Sequence, residues 1–144
     1  MASRHRSREV ALQALYALDL ARLRGDGEAS AQEVFDHVAS SFEVPEAARA
    51  FAKELVCGTE ARRVEIDEWI ARHARNWRTA RMAAVDRNLL RLAGFELLAQ
   101  KETPPAVILN EAIELARRYG GDGSPSFVNG ILDSMARDLS SSRE

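Results

Sequence analysis

The spacing of apolar residues constrains this chain more than any other feature. Alanine, leucine, glutamate and arginine dominate the sequence, and all four are good helix formers. Apolar residues return every three or four positions in segment after segment, which is the period of a helix with one buried face. The alternation typical of a half-buried strand hardly occurs, and aromatic residues make up only 6% of the chain. The sequence therefore predicts an all-α protein, a bundle of about seven helices.

Short local signals predict where the first three helices begin and end. Ser7 is placed to cap the first helix, which is expected to end near Gly25. Ser30 is placed to cap a short second helix. Pro45 suits the first turn of the third helix, because its missing N–H would have no partner there in any case. Gly58 marks the expected bend or end of that third helix.

Four more helices are predicted from apolar spacing, at about residues 64–70, 85–97, 107–119 and 125–139. Gly120 is expected to be the C-terminal glycine of the sixth helix, and Ser124 to cap the seventh with Pro125 as its first residue. We predict a single domain with two small helical subdomains, at about residues 1–75 and 76–140.

Composition excludes several classes of protein. The 144 residues carry a formal charge of −2, so a uniformly basic nucleic-acid-coating protein is not expected. A single cysteine, Cys57, allows neither an internal disulfide nor a cysteine-based zinc cluster. Apolar runs fall short of the roughly 18 residues that a membrane span needs, and the basic start is not followed by the apolar core of a signal peptide. A cytoplasmic protein is therefore expected.

Motifs for catalysis are missing as well. The glycines at 120, 121 and 123 lack the lysine of a phosphate-binding loop and are better explained as a helix cap and a turn. Cys57 lies on an apolar helical stripe, where a small buried thiol is the expected role. The many carboxylates suit solvated helix faces, and the sequence brings no pair of them to an evident pocket. We predict that the protein is not an enzyme and uses no cofactor and no metal.

The basic N-terminus is the first feature that suggests binding. Arg4, Arg6 and Arg8 precede the first acidic residue, Glu9. On a helix, Arg4 and Arg8 would lie one turn apart, where their planar guanidinium groups suit phosphate. A solvated, disordered basic tail is the alternative interpretation.

A predicted corner between the last two helices is the second such feature. Tyr119 lies at the end of one helix and Phe127 near the start of the next, with Arg118 beside the first ring. Aromatic rings held at such a corner can stack on unpaired bases. The alternative is that both rings belong to the core. Gly130 is unfavourable inside a helix, and close helix packing or a partner contact would account for it.

Four blocks of sequence together resemble the NusB family of bacterial transcription antitermination factors. In order along the chain, they are residues 9–16, 86–97, 105–116 and 124–133. Each block alone is weak evidence, whereas their order and spacing are specific. The resemblance covers nearly the whole chain and implies an all-α fold of two small helical subdomains.

The resemblance also implies a function. Members of this family bind the boxA segment of nascent RNA, in ribosomal RNA leaders, together with NusE, a small ribosomal subunit protein. That pair joins NusA and NusG on RNA polymerase and suppresses premature termination. Carried onto this sequence, the implied RNA-binding residues are Arg4, Arg6, Arg8, Arg118, Tyr119, Asp122, Ser124 and Phe127. Tyr16 and Asp86 match positions expected to contact NusE, where an acid would meet a basic protein.

The sequence also departs from the family. Gly123, Pro125 and Ser126 stand in a turn where relatives often carry charged side chains, and the basic start holds only three arginines. With a net charge of −2, the protein alone is expected to bind RNA poorly, and NusE to supply much of the positive charge.

Two other functions stay open at this point. One is a protein–protein adaptor that never touches RNA. The other is a relative of the N-terminal RNA-binding module of RNA cytosine methyltransferases, although 144 residues leave no space for a catalytic domain. A homodimer is possible under any of these functions.

Overall fold

The computed structural model describes the chain apart from residues 1, 26–29, 76–77 and 143–144. The described residues form seven α-helices, one short 3₁₀ turn and no strand, as the sequence predicts. The helices are α1 Ala2–Leu23, α2 Ala31–Ala39, α3 Glu46–Ala61, α4 Arg63–His73, α5 Ala84–Ala99, α6 Pro105–Tyr119 and α7 Ser124–Ser142, with the 3₁₀ turn at Thr79–Arg81. Among the residues described, no helix is both long and apolar enough to cross a membrane.

Contacts between Cα atoms divide the chain into two units, residues 1–61 and 62–144. The sequence predicts a boundary near residue 75, which would leave α4 in the first subdomain. In the structure α4 belongs to the second unit, because it packs against α5 and α7. Of the apolar residues that predict this helix, Ile66, Trp69 and Ile70 are buried, whereas Val64 is exposed.

In the first unit, α1, α2 and α3 pack against one another. The apolar stripe predicted on α1 is buried, and two of its four side chains are alanine, which lets helices approach closely; its members are Ala11, Ala14, Leu15 and Leu18. The prediction that Ser7 caps α1 is wrong. The helix begins at Ala2, and the buried Ser7 hydroxyl donates a hydrogen bond of 2.7 Å to the carbonyl of Ala48 on α3. Ser7 therefore ties two helices together instead of starting one.

The boundaries of the next two helices follow local signals only in part. Ser30 caps α2 as predicted, since its side chain accepts a hydrogen bond from Glu33 N–H. Pro45 immediately precedes α3, and its carbonyl accepts the N–H of Arg49 at 2.9 Å. The sequence predicts a bend or an end of the third helix at Gly58, and the end is wrong, because α3 continues to Ala61. Packing of α3 on α1 outweighs the roughly 1 kcal/mol that glycine costs inside a helix.

The second unit is organised by α5, on which α4, α6 and α7 all pack. Every residue of α5 from Asp86 to Leu97 is buried. The buried Arg91 donates two hydrogen bonds to the carboxylate of Asp67 on α4, at 2.7 and 2.9 Å. Gly94 allows the close approach, because a Cβ there would lie 3.1 Å from Ile66 and 3.3 Å from Met135.

Candidate nucleic-acid interface

The predicted arginine row lies on the first two turns of α1, so it is helical and not an unstructured tail. Arg4 is exposed, and its Cζ lies 3.9 Å from the centre of the Phe51 ring. Arg8 is only 3% exposed, and its Cζ lies 5.9 Å from the same ring. A cation held over an aromatic face gains about 0.5–1 kcal/mol at accessible sites. Phe51 of α3 therefore holds both guanidinium groups in place.

Arg6 is held by a different ring and by an ion pair. Its Cζ lies 4.9 Å from the centre of the Phe42 ring, and its guanidinium donates a hydrogen bond of 3.3 Å to Glu9. Arg6 is half-buried and Arg4 is exposed, so these two guanidinium groups remain accessible to a phosphate. Arg8 is buried in this conformation and is better placed to anchor the row than to meet a phosphate itself.

The predicted aromatic corner is present at the turn between α6 and α7. Tyr119 and Phe127 are both half-buried, so neither ring belongs wholly to the core. Arg118 is exposed, and its Cζ lies 5.5 Å from the centre of the Tyr119 ring. Asp122 is exposed in the turn itself. The corner thus presents two partly accessible rings with one cation beside them.

Ser124 makes a contact different from the one predicted. Gly123, not Ser124, occupies the cap position of α7, because its carbonyl accepts the N–H of Phe127 at 3.0 Å. The Ser124 side chain is 5% exposed and accepts the N–H of Gly121 at 3.0 Å, which closes the turn. Gly120 follows α6 as predicted, but glycine is needed there because a side chain would not fit. A Cβ on Gly120 would lie 2.6 Å from the Ser124 Cβ.

A cavity of about 500 Å³ opens beside this corner. Its volume falls within the usual range for ligand pockets. The lining residues are Met82, Ala83, Asp86, Gly121, Gly123, Ser124 and Phe127. The structure therefore brings Asp86, predicted to contact a protein partner, together with Ser124 and Phe127, predicted to contact RNA. Sequence reasoning missed Met82 and Ala83, since nothing in the chain marks them as cavity residues.

Asp86 is the unusual residue of the cavity. Its side chain lies in the first turn of α5 and is 8% exposed. Acidic side chains are common in the first turn of a helix, where they lie at the positive end of the helix dipole. Its Oδ1 is buried and meets no hydrogen-bond donor in the part of the chain that is described. A buried polar atom without a partner is costly, so Asp86 is suited to receive a donor from another molecule.

Tyr16, the other residue predicted to contact a partner, lies on α1 and is half-buried. A ring that is partly accessible, with a hydroxyl at its tip, is common at protein interfaces. Its environment therefore permits a partner contact but does not demand one, unlike that of Asp86.

One polar cluster in the second unit escapes sequence reasoning. His73 on α4 has its Nδ1 2.7 Å from the Ser134 hydroxyl and its Nε2 3.0 Å from the Asp138 carboxylate, both on α7. The Trp69 indole N–H donates to the same carboxylate at 3.0 Å. The hydrogen bond with His73 and, next, that from Trp69 lower the pKa of Asp138. The cluster fastens the end of α7 to α4.

The described residues hold no group of three or more metal-ligating side chains. What they hold is a helical arginine row, a partly accessible aromatic corner and a carboxylate with one buried oxygen that meets no donor. These features define an all-α binding protein. A model of the NusB family matches residues 5–137. The chain belongs to the NusB family and is a transcription antitermination factor, not an enzyme.

Individual relatives agree with this assignment. The transcription antitermination protein NusB of Koribacter versatilis is 43% identical over 147 aligned positions, covering 99% of this chain and 94% of the relative. A solved structure of T. maritima NusB superposes with a TM-score of 0.82 at 34% identity, covering 94% of this chain and 91% of that one. A chain from the crystal structure of antitermination factors NusB and NusE in complex with dsRNA gives 0.82 at 29% identity, covering 96% and 98%. The predicted family and all-α fold are confirmed.

Proposed function

We propose that this protein binds the boxA segment of nascent RNA together with NusE. In this proposal the pair joins NusA, NusG and RNA polymerase in the cytoplasm and supports transcription of ribosomal RNA. Similarity over nearly the full chain to a protein solved with NusE and dsRNA supports the two direct partners, NusE and RNA. The function is assembly through linked binding equilibria, and no bond is made or broken.

The observation that carries the proposal is the cavity shared by Phe127 and Asp86. Phe127 offers a partly accessible ring on which an unpaired base can stack, which is worth about 1–3 kcal/mol per base. Tyr119 extends the stacking surface, and Arg118 and Asp122 lie at its edge. A cavity lined on one side by a ring and on another by a carboxylate suits a site where RNA and a basic protein meet.

The carboxylate of Asp86 supports the protein half of the proposal. A buried charge without a partner is most strongly stabilised by a charge of opposite sign. NusE, as a basic ribosomal protein, would offer such a cation to Asp86, and Tyr16 would add a second contact through α1. The free protein would then carry an incomplete site that the partner completes.

Charge balance predicts how the two partners depend on each other. The chain has a net charge of −2, and of its N-terminal arginines Arg4 and Arg6 are the accessible ones. Two or three phosphate contacts give weak, salt-dependent affinity. NusE would therefore raise the affinity for RNA by sharing the neutralisation of phosphates.

Titration of boxA RNA into the protein with and without NusE, at several salt concentrations, tests the proposal. We expect tighter binding and a steeper salt dependence with NusE present. A scrambled RNA of equal length is the control for sequence choice. Equal affinity for boxA in both titrations would contradict the proposed sharing of charge, and absence of binding in both would contradict the RNA-binding function.

A further inference from the structure

A second group of arginines lies outside every site described above. Between Glu68 and Asp86 the sequence carries four arginines and one histidine and no acidic residue. This is the segment that leads from the end of α4 through the 3₁₀ turn to the start of α5. In a chain of net charge −2, such a concentration of one sign requires an explanation.

Three of these arginines differ from most other surface arginines in having no acidic partner within the described residues. Arg49, Arg62 and Arg137 pair with carboxylates at 2.9, 2.9 and 2.7 Å. Three exposed arginines of this segment have no ion pair within the described residues, namely Arg75, Arg78 and Arg81. Arg72 is also exposed, but its charge acts on Asp138 and contributes to the lowered pKa of that carboxyl. We therefore leave Arg72 out of the group.

The backbone beneath two of the three arginines is held in place. The buried Arg87 donates hydrogen bonds to the carbonyls of Met82 at 2.9 Å and Thr79 at 3.4 Å. The N–H of Arg81 bonds the carbonyl of Arg78 at 2.9 Å. A buried guanidinium that bonds two carbonyls fixes the turn, so Arg78 and Arg81 project from an ordered backbone.

The same segment leads directly into the cavity. Met82 and Ala83, which follow Arg81, line the cavity together with Phe127. A single strand of nucleic acid offers alternating bases and phosphates, and proteins bind it with an aromatic platform beside a positively charged groove. Arg75, Arg78 and Arg81 lie in a segment that leads to a cavity lined by the Phe127 ring, which matches this combination of positive charge and aromatic platform.

We propose that Arg75, Arg78 and Arg81 form a second phosphate-binding surface, which holds the RNA backbone next to the base stacked on Phe127. The inference rests on the RNA-binding function proposed above. Guanidinium groups without an internal carboxylate are free to make bidentate contacts with phosphate. An acidic protein surface is the competing occupant, but the continuity with the aromatic cavity favours RNA.

Two triple variants test this surface. In the first, Arg75, Arg78 and Arg81 are replaced by glutamine. In the matched control, the ion-paired Arg49, Arg62 and Arg137 are replaced by glutamine, which changes the net charge by the same amount. Binding of boxA RNA is measured with NusE present over a range of salt, and thermal unfolding checks that each variant is folded.

We expect the first variant to lose about tenfold or more in affinity at low salt, and the slope of log K against log salt to fall by about 2, from three contacts at 0.7 each. The control should keep the slope of the natural protein. Replacing the same three residues with lysine should also keep most of the slope, because the charge remains. That lysine variant separates loss of charge from loss of structure.

Other outcomes overturn the inference in distinguishable ways. If the natural protein binds boxA and the first variant binds it equally well, only this surface is refuted. Equal losses in both glutamine variants would mean that overall charge matters and position does not. Loss of NusE binding with RNA binding retained would assign the surface to a protein. If the natural protein with NusE binds no RNA, the proposed function itself fails.

Discussion

Replacing Asp86 by alanine tests the central cavity because it should change stability and binding in opposite directions. In the free protein the Oδ1 of this carboxylate is buried without a donor in the described residues, which costs about 1–3 kcal/mol. Removing it also loses a favourable first-turn contact with the helix dipole, about 0.3–1 kcal/mol. Alanine regains up to about 0.7 kcal/mol in helix propensity.

The balance of these effects is a free protein more stable by about 1 kcal/mol. The truncation should not create a new void, because Asp86 already lines an open cavity. For a domain of this length the melting temperature should rise by about 3–5 °C. The complex should respond in the opposite sense, because a partner cation that loses its buried carboxylate costs about 2–5 kcal/mol. At 1.4 kcal/mol per factor of ten, NusE affinity should fall at least about 30-fold.

Thermal and urea unfolding of the free protein, with calorimetry of NusE binding, measure both effects. Asp86→Asn is the control, since it keeps the shape of the side chain while removing the charge and replacing one acceptor oxygen by an NH2 donor. A destabilised Asp86→Ala protein would show that the carboxylate is satisfied in the free state. Unchanged NusE affinity in both variants would refute the assignment of Asp86 to the partner.

Further predictions concern the corner and the polar cluster. Phe127→Ala should weaken RNA binding by about 1–3 kcal/mol, and an equal loss of unfolding free energy would favour a core role instead. Gly120→Ala should destabilise the fold by about 1–3 kcal/mol in urea titrations, because the new Cβ would collide with Ser124. The pKa of Asp138 is lowered by its hydrogen bonds, so its stabilisation is complete above the ordinary pKa of aspartate and is lost as the pH falls through the lowered value. His73→Ala should reduce this acid dependence of the urea midpoint.

The parts of the fold that sequence predicts correctly depend on neighbours in the chain. The 3.6-residue period and the Ser30 cap arise within a few residues, so they can be recognised before any packing is known. Ser7 and Gly58 carry equally common signals for helix ends, yet both lie inside helices. The carbonyl of Ala48, 41 residues from Ser7, decides the role of that hydroxyl. A local preference for ending a helix is overridden where a distant helix supplies a packing or hydrogen-bond partner.

The candidate site likewise has features that the sequence shows and features that only the packing of the helices creates. The sequence alone shows residue types suited to RNA binding, namely Arg4, Arg6 and Phe127. What holds the arginines is not visible, because Phe51 and Phe42 approach them only when α3 packs on α1. Order in a basic segment is thus a tertiary property, and sequence alone leaves the disordered alternative open.

Asp86 shows most clearly what a sequence pattern cannot supply. The family resemblance marks it as a residue that contacts a partner, but only the structure shows that it lines the Phe127 cavity and that its buried Oδ1 meets no donor within the described residues. A chain selected for stability alone would place an apolar residue or a donor there. The cost of the orphaned oxygen in the free protein is recovered only when another molecule supplies the missing charge. Replacing Asp86 is for this reason the best way to separate effects on folding stability from effects on partner binding.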